Sequence, residues 1–97
     1  MSRFDDLIDR QLAFFVEDNA DLIDACEAAE RAYDRAGREE AEERYSEYLD
    51  LIEEGGEALA ETRDTYASTL DPDVAEEYEE SFDAAVRRRL PRFGVAL

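Results

Sequence analysis

Ile8, Leu12, Phe15, Asn19, Leu22, Cys26, Ala29, Tyr33 and Ala36 follow one another in alternating steps of four and three residues. That spacing brings side chains to one stripe of an α-helix and averages 3.5 residues, the repeat of a helix packed lengthwise on another helix. Eight of the nine are apolar or aromatic. A second series with the same steps runs through Ala41, Tyr45, Tyr48, Ile52, Gly55, Leu59, Thr62, Tyr66 and Thr69. Two such seams restrict the chain to an all-α fold in which two long helices bury one stripe against each other.

The helix boundaries follow from the punctuation. Ser2 followed by Asp5 is a capping signal, and neither Gly nor Pro occurs from there until Gly37. The first helix is therefore expected over 2–36 and the second over 38–70, as an antiparallel hairpin of roughly 50 Å at 1.5 Å per residue. The second seam crosses Gly55 and Gly56 without losing phase, so one continuous helix is expected there with a break at the pair as the main alternative, since each glycine costs roughly 1 kcal/mol against Ala. Asn19 is the polar member of the first seam. It either sets register at a cost in stability or marks a helix break beside Asp18.

Asp71-Pro72-Asp73 places a capping residue, an N1 proline and an acid in the order that opens a helix. A third helix is expected over 72–90, with Val74, Ala75, Tyr78, Phe82, Ala85, Val86 and Leu90 on its apolar face and Pro91 closing it. It starts near the chain's own N-terminus and must fold back beside the first helix, where Phe4, Leu7 and Phe14 offer apolar surface outside the seam. One end then becomes a three-helix bundle, and residues 91–97 are expected to be a loosely held tail of this single domain, 1–97. Acid–Arg pairs four residues apart, Asp6–Arg10, Glu27–Arg31, Glu40–Arg44 and Asp83–Arg87, are expected to add tenths of a kcal/mol each.

Charge sets the environment. There are 28 acidic and 11 basic residues among 97, a net charge of −17, and every basic residue is Arg. Repulsion on this scale opposes compaction at low salt and almost disappears at molar salt, where the screening length is about 3 Å. The composition resembles that of proteins from halophilic archaea, and the resemblance spans the whole chain. It implies a salt-rich cytoplasm. Cys26 is the single cysteine, so no internal disulfide forms. The apolar run Leu12–Val16 is too short for a signal peptide or a membrane span, which leaves a soluble, cytoplasmic protein as the expectation.

Catalytic chemistry finds little to work with. The chain has no His. Ser–His and Cys–His nucleophile pairs are therefore unavailable, as are the Glu-x-x-His ligands of helical di-metal centres. The carboxylate clusters at 39–43 and 76–80 lie off the seams and read as solvated surface. Gly55-Gly56 is followed by Glu57, which would repel a phosphate. No enzyme, metal or other cofactor is expected, and no small-molecule substrate.

An interaction surface is expected instead. Near Cys26, Tyr33, Tyr45 and Tyr48 only two helices are available, too few to enclose a seam. A second copy is the simplest cover and another helical protein the next, with Ile23, Leu49 and Leu51 flanking the contact. The chain thus reads as a non-enzymatic, homodimeric helical interaction module. Arg87, Arg88, Arg89 and Arg92 form the single basic patch, since residues 1–86 hold all the acids and only seven Arg. Arg suits the negative end of a helix dipole. The functional alternative is contact with nucleic acid or another anionic partner in a regulatory or accessory role, against which stands the negative field of everything else.

Overall fold

The computed structural model describes residues 2–97, and it is all-α. Five helices follow in chain order: α1 Asp5–Asp18, α2 Ala20–Arg35, α3 Ala41–Ala67, α4 Pro72–Arg89 and the single turn α5 Pro91–Gly94. The molecule measures 50 × 22 × 21 Å. α2 runs along α3, and α4 packs against both α1 and α3.

The first helix is not continuous. It breaks at Asn19, whose φ of −115° and ψ of 30° leave the helical region. Both the backbone N–H and the side-chain Nδ2 of Asn19 donate to the Phe15 carbonyl, at 2.9 and 3.0 Å, and the Asn19 carbonyl then accepts from Ile23 N–H to begin α2. A short amide side chain that competes for backbone acceptors produces such a break. α3, in contrast, passes through Gly55 and Gly56 unbroken, and both glycines are buried.

Several ends differ from expectation by a few residues. The first long segment stops at Arg35, because Ala36 turns extended (ψ 141°), and Gly37 does not adopt positive φ. Its carbonyl instead accepts from Glu40 and Ala41 N–H, delaying α3 to Ala41. α3 ends at Ala67, where the Ser68 and Thr69 hydroxyls donate to the carbonyls of Thr65 and Tyr66. At the N-terminus, Ser2 Oγ accepts from Phe4 N–H while the Asp5 carboxylate accepts from Ser2 N–H, a reciprocal cap. Asp71 holds the cap position of α4 with Pro72 behind it, yet its carboxylate makes no capping bond.

The core joins α1, α3 and α4 around Tyr78, which is fully buried. Its ring meets Phe4 edge-on at 5.4 Å, Tyr66 at 4.8 Å and Phe82 at 5.9 Å, and its hydroxyl donates to Gln11 Oε1 at 2.8 Å. Aromatic contacts of this kind add to burial and, with a satisfied hydroxyl, let a tyrosine sit where water cannot reach. Ile8, Leu12, Phe15, Ile52, Leu59 and Val86 belong to the same core.

Residues 91–97, expected as a loosely held tail, contain the turn α5 and one buried ring. Phe93 is 2% exposed and meets Phe15 edge-on at 5.6 Å. A β-carbon on Gly55 would overlap the Phe93 ring, and one on Gly56 would meet Ala96. The paired glycines form a trough on α3 into which the C-terminal segment lies, a close approach that side chains would prevent.

The ion pairs also differ from the four predicted ones. Among the described residues Asp83 pairs with Arg63 of α3 at 2.8 Å, and Arg44 pairs with Glu47 rather than Glu40. Asp6–Arg10 and Glu27–Arg31, both within the described residues, do not form. Most of the pairs link different parts of the bundle: Arg3–Glu77, Arg63–Asp83, Arg89–Asp9 and Arg92–Glu30.

Candidate functional site

The seven residues expected at the two-helix end separate into two groups. Cys26 is fully buried, and Ile23, Tyr48 and Leu51 are half-buried against the core. Tyr33, Tyr45 and Leu49 are exposed, at 41%, 47% and 38%. Tyr45 and Leu49 lie one turn apart on α3, and the Tyr33 ring of α2 sits 5.3 Å from that of Tyr45. These three form a continuous apolar patch beside the α2–α3 connection.

The buried group owes its cover to the chain itself. Phe93 and Ala96 lie over Gly55 and Gly56, and Arg92 reaches across to Glu30 of α2 at 3.4 Å. Cys26, expected at a section of seam open to a partner, is buried within the single chain. Burial pushes the Cys26 thiol up, with Arg92 pulling the other way. A thiol held protonated in an apolar setting is a packing group rather than a nucleophile. Phe93 and the Gly55-Gly56 pair were both visible in the sequence; a double glycine in mid-helix is the signal that another backbone or ring must come close.

A second apolar surface lies where sequence reasoning expected coverage. Phe14, expected beneath the third helix with Phe4 and Leu7, is 66% exposed. Phe4 is buried and Leu7 half-buried, so α4 packs on their side of α1 and turns away from Phe14. Between α1 and α3 this leaves a groove of about 720 Å³, lined by Phe14, Phe15 and Tyr66 with Thr62, Thr65 and Thr69 among its polar members. Arg10, Asp18 and Glu61 are its charged lining.

The four-arginine cluster is divided. Arg89 donates to Asp9 at 2.7 Å and Arg92 to Glu30, while Arg92 Nε is buried without a partner. Gly94 sits on the stem of Arg87. Arg87 and Arg88 make no ion pair among the described residues. Half of the patch thus ties α4 and α5 to α1 and α2, leaving two guanidinium groups for any outside anion.

Carboxylates stay apart: among the described residues no three acidic or cysteine side chains gather closely enough to hold a metal ion. Tyr78 is the most perturbed of the acids, its phenol pushed up to about 12 mainly by burial. Its ring lies inside the core. Among the described residues no helix is long and apolar enough to cross a membrane. No family model, no curated protein and no solved structure matches this chain.

Proposed function

We propose that the chain is a non-catalytic helical interaction module that works as a homodimer in a salt-rich cytoplasm. The observation that carries this reading is the exposure of large apolar side chains on the helices themselves: Phe14 at 66%, Tyr45 at 47%, Tyr33 at 41% and Leu49 at 38%. On a surface otherwise rich in carboxylates, these are the places where removing water is favourable. They form two patches, one beside the α2–α3 connection and one on α1.

Light scattering coupled to size exclusion, at tens of micromolar protein in molar KCl, tests the reading. A dimer mass is expected. A strict monomer, with no protein recovered on the immobilised chain from a native high-salt lysate, would overturn it. The alternative role, binding nucleic acid through Arg87, Arg88, Arg89 and Arg92, has less support because Arg89 and Arg92 are already paired with Asp9 and Glu30.

A further inference from the structure

We infer that a second copy of this chain docks on the α1–α3 groove, antiparallel along α1, with the two-fold axis passing at Phe14. The inference rests on the homodimer reading and adds which surface forms the dimer.

Three observations carry it. Phe14 is the most exposed aromatic side chain among the described residues and stands at the groove, whose floor includes Phe15 and Tyr66. The opposite wall on α3 presents Thr62 and Thr65, small enough for another helix to come close. Arg10 and Asp18, both lining the groove, lie four residues before and four after Phe14, hence on the same stripe of α1 and about 12 Å apart along its axis.

That order, cation then aromatic then anion at equal spacing, is self-complementary under a two-fold rotation. Isologous pairing brings residue i of one copy to residue j of the other and j to i. With Phe14 on the axis, Arg10 faces Asp18 of the other copy twice, and the two Phe14 rings meet at the centre. Neither Arg10 nor Asp18 makes an ion pair within the chain, among the described residues, so both are available. A parallel arrangement would set Arg10 against Arg10. A basic hetero-partner would leave the unpaired Arg10 facing like charge, which is why a second copy fits this surface better.

The test uses the full chain and sedimentation equilibrium, with circular dichroism to check folding. Phe14→Ser, at a position two-thirds exposed, should keep the fold and weaken the dimer about a hundredfold, because a central aromatic anchor is lost from both copies. This arm works at any salt. At the lowest KCl that keeps the helices, Arg10→Asp and Asp18→Arg should each weaken self-association about tenfold, since each places two like pairs across the axis. Mixing the two variants should restore a dimer. The carboxylate introduced at position 10 of one copy then faces the guanidinium introduced at position 18 of the other, while the native Asp18 of the first faces the native Arg10 of the second. That rescue is specific to the antiparallel register. A wild-type dimer that survives Phe14→Ser, or charge variants that do not complement on mixing, would overturn the surface assignment and leave the homodimer reading standing. A wild-type monomer would overturn both.

Discussion

The ring of Phe93 occupies the space that a β-carbon on Gly55 would need. Gly55 lies in mid-helix, where Gly costs roughly 1 kcal/mol against Ala, so Gly55→Ala would ordinarily stabilise α3. Here the sign should reverse. Overlap with a buried ring destabilises by about 1–3 kcal/mol, and Phe93→Ala alone should cost about 3 kcal/mol through lost burial and the cavity left behind. In the Phe93→Ala background, Gly55→Ala should become stabilising by roughly 1 kcal/mol. Urea unfolding of the four proteins at fixed high salt measures the cycle, and a stabilising Gly55→Ala in the otherwise native chain would show that Phe93 does not rest there.

Tyr78 links two helices through one hydroxyl. Tyr78→Phe removes the bond to Gln11 Oε1 while keeping the ring against Phe4, Tyr66 and Phe82, so a loss of about 0.5–1.5 kcal/mol is expected. The phenol supplies a separate readout. Its pKa in the folded chain is about 12, above the ordinary value near 10, so the folded state holds this proton more tightly than the unfolded state does. The resulting stability is complete below about pH 10 and is lost as pH climbs from there through 12. Tyrosinate absorbance should show Tyr78 ionising toward pH 12 together with loss of helicity, and Tyr78→Phe should flatten the alkaline decline between those limits. A decline unchanged in that variant would assign it to other groups.

Arg63 is the best-enclosed cation of the ion-paired set, with 17% of its side chain exposed against 24% for its partner Asp83. It donates to Asp83 of α4 and to Asp64 beside it, both at 2.8 Å, and these bonds hold its pKa above the ordinary range despite burial, the Asp64 bond contributing most. Arg63→Met keeps the aliphatic stem over the α3–α4 junction but leaves Asp83 partly buried and unpaired. A loss of about 1–3 kcal/mol is expected, with Asp83→Asn in the same background recovering much of it, because the neutral amide no longer needs a counter-charge. Thermal melts of the single and double variants decide this. If the double variant is no more stable than Arg63→Met, packing of the arginine stem, not the charge, is what matters.

The helical class, the uninterrupted α3 and the start of α4 could be read from the chain because they depend on local spacing and on Pro72, which act over a few residues. Two features could not be decided from it, although a break at Asn19 is one of the two readings that residue allows. The break at Asn19 comes from a side chain that bonds its own backbone, and in a linear pattern that residue is indistinguishable from a polar seam member. The burial of Phe93 depends on a contact 38 positions away in the chain with Gly55, and only the double glycine hinted at it. The charged pairs were misplaced for a related reason. Pairs one helical turn apart are worth so little that the arginines go to partners on other elements, as Arg89 does with Asp9 and Arg63 with Asp83. Phe14 was placed under α4 on apolarity alone, which says that a residue prefers cover and not which element supplies it.

Folding should depend steeply on salt. The chain carries a net charge of −17, and its acids cluster on exposed turns of α3 and α4, where Glu42, Glu43, Glu76, Glu77 and Glu80 all face solvent. Of these, Glu77 alone has an arginine partner among the described residues. Like charges one turn apart each cost a few tenths of a kcal/mol, and a dozen or so sum to several kcal/mol, comparable with the whole stability of a small domain. The arginine ties between elements act in the opposite direction and are screened as well, but the described ones are four contacts made by four arginines, too few to balance 28 acids. Repulsion therefore dominates, and screening should favour the folded state. Helicity is expected to be incomplete near 0.1 M KCl and to rise cooperatively toward about 1 M, where the screening length is roughly 3 Å. Gly55 and Phe93 give the transition a local marker, because the C-terminal segment has only one helical turn of its own and should detach first. Hydrogen exchange across a KCl series would show early loss of protection at 91–97 followed by α1 and α4. Equal helicity and melting temperature at both salts would mean that the apolar core around Tyr78 is sufficient without screening.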